Sequence, residues 1–342
     1  MILFVLLLIP ASNLIFNNDN GLDNILYAKG KANTSRDDRA KDHTHTNEDT
    51  QNQEQVTNKV VILTFGDIHK SQFTTAKPIL DQYGFKGSFF VPCEMVGGDS
   101  HMDWNDIKTL YTEGHDIEAK SDKNLINLSP DNLDFQVIQP KKCLSEHGID
   151  PNTVTTFAVR HGNAVLNTTV INTVAKYYNM AINGFSNLMR LDCSGYGEQN
   201  GRDLPKGDLA RILVSSSHQQ TDCRTFDEDG KLTSANRYSI REWNHNAKDS
   251  KFDHNSTAIF NEFVKVVNSQ SKYNDNNNGM INAIPLIAYH DIDNSLDKSS
   301  TDVSLFASEM KYLYENGFKV ITMKDLGYDE MSNRLYVKNM LL

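Results

Sequence analysis

The sequence predicts an α/β protein built on a mostly parallel sheet, either closed as a barrel or open and wound on both sides. Three observations carry this. Apolar runs recur at 60–65, 88–93, 115–121, 153–159, 179–185, 237–243, 284–290 and 318–323, with helical segments between most of them. Strand and helix in alternation is the pattern of parallel strands joined by crossover helices. Several helical segments close alike, in Tyr83-Gly84-Phe85, Glu113-Gly114-His115, His147-Gly148-Ile149 and Asn316-Gly317-Phe318, where glycine suits the left-handed residue that ends a helix. Asn179, after Tyr177-Tyr178, is expected to do the same. Finally, Val60 to Phe65 are six β-favouring residues in succession, which fits a strand covered on both faces. That strand ends in Gly66-Asp67, where a carboxylate projects from a C-terminal strand end, the end at which such barrels place chemistry.

Taken in order, residues 1–28 open with an apolar segment broken by Pro10 and Asn13. It is short for a membrane span and suits a secretory signal, with Tyr27-Ala28 one possible cleavage region; a retained N-terminal anchor is the alternative. Residues 29–58 hold almost no apolar side chains and read as a disordered polar tether. Residues 59–342 form a single domain. Within it, Ile259, Phe260, Phe263, Val264 and Val267 share one face of a helix over 256–270, as do Val303, Phe306, Met310 and Leu313 over 302–316. Pro140 is expected to kink or split the fourth helical segment. The Gly-, Asp- and Ser-rich stretch 187–236 reads as an inserted loop near the barrel mouth, and Asn274 to Gly279 as a plain turn.

The net charge of −10 disfavours nucleic acid and anionic lipid, which need basic surface. Four cysteines, Cys93, Cys143, Cys193 and Cys223, fit an exported protein, secreted or at the cell surface, with up to two disulfides. Three connectivities are open; Cys193–Cys223 is preferred because it would staple the insertion, leaving Cys93–Cys143. A zinc site would want a short CxxC pair, which is missing. Asn-X-Ser/Thr sequons stand at Asn33, Asn127, Asn167 and Asn255. A monomer is expected.

Thr64-Phe65-Gly66-Asp67, Gly114-His115-Asp116-Ile117, Phe157-Ala158-Val159-Arg160-His161-Gly162, Pro285-Leu286-Ile287-Ala288-Tyr289-His290 and Gly317-Phe318-Lys319-Val320-Ile321-Thr322 form an ordered set. Over roughly residues 58–328 this set resembles the polysaccharide deacetylases, the NodB-homology or family-4 carbohydrate esterases. The resemblance implies a distorted (β/α) barrel. It implies an enzyme that removes acetyl groups from N-acetylated glycans with a divalent, zinc-type metal held by one Asp and two His. It places Asp67 at a metal-ligand position, His290 at the general-acid position, and Glu242-Trp243 in the fourth motif. Arg160 and His161 lie beside the third motif's arginine position, which is Ala158.

The chain departs from that pattern. The base position of the first motif is Gly66, and the two histidine-ligand positions are Lys120 and Asn124. Metal activation of water needs about three protein ligands, so two arrangements are expected. In one the site is metal-free, and Lys120, on the same strand face as Glu118, pairs with Asp67 where a cation would sit. In the other a rebuilt site uses Asp67, His161, His290 and Glu118 or Glu242. Catalytic residues are then Asp67, His290 and Glu242; Trp243, Arg160 and Lys120 contact substrate, with Trp243 a sugar-stacking wall or a core residue. His115 reads as packed core, and His218, His245 and His254 as solvated. The functions that follow are an acetamido hydrolase with an altered site, a non-catalytic glycan binder, and a hydrolase of other non-peptide C–N bonds.

Overall fold

The computed structural model describes residues 58–160, 168–185, 188–191, 237–238, 240–245, 255–274, 280–295, 297, 299–329, 331 and 334–338. The apolar N-terminal segment, the tether up to residue 57, His161, Cys193, Cys223, His218 and His254 lie outside them, as does most of the 187–236 stretch. No helix among the described residues is long and apolar enough to cross a membrane.

Seven parallel strands close into a barrel: β1 (Val60–Gly66), β2 (Ser88–Val91), β3 (Asp116–Lys120), β4 (Thr156–Ala158), β5 (Met180–Phe185), β7 (Ile240–Asn244) and β9 (Leu286–Tyr289). Closure is made by β9 returning to β1 in parallel, Ile62 opposite Leu286 and Phe65 opposite Tyr289. Of the two arrangements open at the outset, the barrel is the one formed. β10 (Lys319–Ile321) pairs with the first residues of β1 and lies outside the ring. Met189–Arg190, at the start of the stretch read as a loop, is instead a short strand (β6), antiparallel to β8 (Ala283–Ile284). A hairpin of β11 (Leu326–Asp329) and β12 (Arg334–Val337) was not foreseen.

Strand periodicity divides the core into two. Val60, Ile62, Phe90, Met180, Ile182, Ile240 and Leu286 pack together inside the ring. Their neighbours Val61, Leu63, Phe65, Phe89, Ile117, Phe157, Ile287 and Tyr289 pack outside it, against helix residues Leu80, Ile107, Leu110, Leu133, Val137, Phe263 and Phe306. This explains the unbroken apolar run of β1: alternate residues serve two different cores. The helices include Trp104–Thr112, Pro130–Glu146, Ser256–Asn268 and Val303–Glu315.

Gly84, Gly114, Gly148 and Gly317 all have positive φ, between 68° and 90°, as helix closure requires. Asn179 does not share that conformation; its N–H instead donates to Thr155 O, joining the chain to β4 directly. Pro140 sits inside an uninterrupted helix, so it costs one backbone hydrogen bond without ending the segment. Asn274, expected in a plain turn, is fully buried. Its amide donates to Asn58 O and Ala283 O and accepts from the N–H groups of Asn282 and Ala283, stitching the start of β1 to β8.

Cys93 and Cys143 are bonded, 50 residues apart, and pin the loop after β2 to the helix before β4. Closing a loop of that length in the unfolded chain is worth about 4 kcal/mol. Cys93→Ser/Cys143→Ser should therefore lower the urea-unfolding free energy by about that amount, and peptide mapping without reductant should recover the 93–143 cross-link.

Candidate functional site at the barrel mouth

Residues on the interior face near the C-terminal strand ends converge on one spot. Gly66 closes β1, Lys120 closes β3, Glu242 and Asn244 end β7, and His290 follows β9. Each shares parity with the interior core of its strand, which is why side chains from β3, β7 and the end of β9 meet beside Gly66. Trp243 has the opposite parity. It is 8 % exposed, packs with the outer core and meets His245 edge-on at 5.0 Å. The sugar-stacking reading of Trp243 is thereby corrected: it is a core residue.

Asp67 lies just beyond β1. It and Ile68 adopt left-handed backbone, with φ of 67° and 48°. An aspartate tolerates this; a β-branched residue does so only under constraint. The constraint is visible. Ile68 is fully buried and its carbonyl accepts from Met102 N–H at 2.9 Å. The buried amide of Gln72 donates to Gly66 O and His290 O at 2.6 and 2.9 Å, clamping β1 to β9.

Lys120 Nζ donates to Asp67 Oδ1 at 2.7 Å, and His290 Nδ1 lies 3.5 Å from Oδ2. The other ring nitrogen of His290 is 3.2 Å from Asn244 Oδ1. Both oxygens of Asp67 are thus engaged. Burial alone would raise its pKa, but His290 and the Lys120 ammonium outweigh burial and hold the carboxyl far below the usual carboxylate range. A Cβ placed on Gly66 would stand 3.3 Å from Lys120 Nζ and 3.5 Å from His290 Nδ1, so the lysine and the histidine border the space beside Gly66.

Glu242 bonds to Thr64 Oγ1 at 2.7 Å. Burial raises its pKa, and the Thr64 hydrogen bond and the charges of Lys120 and His290 only partly oppose this. Its shift is opposite in direction to that of Asp67. Arg160 is used elsewhere: its N–H donates to Ser121 Oγ and its Nη1 to Asp122 O, tying the ends of β3 and β4 together. Asn124 is exposed and caps its own loop, accepting from Ile126 N–H. Glu118 is buried, its oxygens taken by Thr155 and Thr156, which removes it from a rebuilt metal site. His115 is buried, with its pKa pushed down to about 4 by burial. His245, read as solvated, is fully buried, bonded to Glu309 and Thr301 and stacked on Tyr289.

Sequence reasoning missed a neighbouring group. His69 Nδ1 lies 2.9 Å from Asp291 Oδ2, Ser71 Oγ donates to Asp291 Oδ1 at 2.8 Å, and the His69 ring stacks on His101 at 5.4 Å. The signal available was the pair of polar runs Asp67-Ile68-His69 and His290-Asp291, each following an apolar strand.

A divalent metal does not fit these residues. Asp67 already neutralises an ammonium group, which would repel a second cation at hydrogen-bonding distance. The two histidine positions of the resemblance are a lysine and a surface asparagine. Among the described residues no three His, Cys, Asp or Glu side chains are grouped to hold a metal ion.

The family model for polysaccharide deacetylase matches residues 53–181. Searching the curated proteins finds no match. Among solved structures, a peptidoglycan deacetylase from Bacillus subtilis aligns at 14% identity over 78% of this chain and 89% of its own, with a TM-score of 0.44. A family 4 carbohydrate esterase from Streptomyces lividans aligns at 11% over 82% and 99%, TM-score 0.44. A family 4 acetyl xylan esterase from Clostridium thermocellum, solved with a cobalt ion, aligns at 15% over 78% and 88%, TM-score 0.40.

Removing Lys120 leaves Asp67 buried without its cation. Lys120→Met should cost about 3 kcal/mol at neutral pH, measured by urea unfolding. The sign with pH follows from the lowered Asp67 pKa: its contribution is present above the unfolded carboxyl value and is lost as pH falls towards the folded one. In Lys120→Met that acid-side loss should shrink, and the Asp67 carboxyl carbon, followed by NMR, should titrate at higher pH than in the wild type.

Proposed function

We propose, from the match of residues 53–181 to the family model for polysaccharide deacetylase, that the chain is a slow, metal-independent hydrolase of acetamido groups on a cell-surface or extracellular N-acetylated glycan. The observation that supports this is the Lys120–Asp67 pair at 2.7 Å, which holds an ammonium N–H donor at the mouth. Lys120 polarises the acyl oxygen as negative charge develops on it. Glu242, with its raised pKa, takes a proton from water as that water adds to the acyl carbon. The C–N bond then breaks, and His290 gives the leaving nitrogen its proton; the proton held by Glu242 returns to His290 through solvent. Asp67 and Asn244 hold Lys120 and His290 in place.

Acetate release from an N-acetylglucosamine oligomer tests this. Turnover should be slow, and unchanged by chelator or by added zinc or cobalt. Glu242→Gln and Lys120→Met should each lower it by about 100-fold or more. The rate should rise with pH through the raised Glu242 pKa, because the base acts only when ionised. Stimulation of tenfold or more by a divalent metal would overturn the proposal. A second reading, glycan binding without turnover, is favoured by Gly66, which supplies no carboxylate at the family's base position; saturable binding of the oligomer with no acetate released would establish it.

A further inference from the structure

The group at His69 has no part in the chemistry above, yet it is built as a binding site. Asp291 is held from two sides, by Ser71 Oγ on one oxygen and the His69 ring on the other. Ser71 is itself fixed, since its Oγ accepts from Ile292 N–H at 2.9 Å. With Nδ1 committed to Asp291, the other ring nitrogen of His69 has no protein partner among the described residues and is not sealed from solvent. Beside it, the stacked His101 ring carries a buried Nε2 with no hydrogen-bond partner. A buried polar nitrogen without a partner costs free energy unless a ligand or water satisfies it. The backbone holds the two imidazoles in register, His69 and His101 forming an antiparallel bridge, with Lys70 N–H donating to Ser100 O at 2.8 Å.

We propose that His69 and His101, positioned by Asp291 and Ser71, form a subsite that binds a sugar hydroxyl next to the reacting acetamido group. The chemistry of a hydroxyl matches this arrangement. It donates to an imidazole nitrogen that lacks a proton and accepts from one that carries it, so the contact survives either protonation state of His69. Asp67 stands two residues before His69, which puts the subsite at the edge of the same mouth. The accessible edge of the His69 ring offers the sugar one polar atom, and the His101 ring, with its buried Nε2, is stacked against it. This inference rests on the proposed glycan function, and its test is chosen to separate the two.

Titration calorimetry with an N-acetylglucosamine pentamer, and separately with free acetate as a probe of the acyl position at Lys120, gives four measurements on wild type and His69→Ala. The subsite predicts that His69→Ala weakens pentamer binding by about tenfold and leaves acetate binding unchanged. Asp291→Asn, which frees the ring without removing it, should weaken the pentamer by less than His69→Ala does. In the wild type, the Nε2 signal of His69 in 15N NMR should move on addition of pentamer. Wild-type pentamer affinity in His69→Ala, with pentamer binding lost in Lys120→Met, would overturn the subsite and leave the functional proposal standing. Failure of wild-type protein to bind the pentamer at all would overturn both.

Discussion

Two opposite charges 2.7 Å apart, Lys120 at the end of β3 and Asp67 just past β1, fix what the mouth of this barrel can do. An ion pair this shielded from water stabilises little by itself, because burying both charges offsets most of their attraction. Its effect is on the site. It locks Asp67 in its ionised form, takes one of its oxygens, and leaves an ammonium group beside Gly66. The carboxylate therefore cannot act as a base, and a second cation approaching Asp67 would meet the ammonium group. What remains for proton transfer is Glu242, whose environment pushes in the opposite direction. Two carboxyl groups on neighbouring parts of one mouth are thus driven apart in pKa, the arrangement that separates an electrostatic role from a proton-transfer role.

The scaffold around that pair is rigid and costly in the right place. Left-handed backbone at Asp67 and Ile68 is held by a buried isoleucine, by the Met102 hydrogen bond and by the Gln72 clamp between Gly66 and His290. Behind it, Phe65 stacks on Phe89 and Tyr289, and Tyr289 stacks on His245. The outer core thus supports β1 and β9 directly beneath the residues that face the mouth. Strain of this kind concentrates where geometry matters for binding or chemistry, and here it lies at Asp67 and Ile68, directly after Gly66.

Much of the frame was legible in the sequence because it rests on local rules. The strand positions follow from apolar runs, and the four helix-closing glycines from the need for positive φ. The proximity of Lys120 to Asp67 follows from the resemblance, which puts both at metal-ligand positions, while strand alternation adds only that Lys120 shares a face with Glu118. Trp243 and His245 illustrate what local reading misses. Trp243 belongs to the outer layer by the same parity that turns Glu242 inward, and a tryptophan in a glycan-related motif invited a surface role. His245 lies in a polar stretch of sequence, yet its burial is set by Glu309, Thr301 and Tyr289, all distant in the chain. Asn274 reads as part of a plain turn because its partner Asn58 lies at the other end of the domain, before β1. The His69–Asp291 contact joins residues that follow β1 and β9, so it too exists only once those strands pair.

The claim that a lysine stands in for a metal is tested most directly by the metal content of the purified protein. After exposure to excess zinc and desalting, elemental analysis should find well below one zinc per chain in the wild type. One zinc, nickel or cobalt retained per chain, with Lys120 and Asp67 unaltered, would contradict the account.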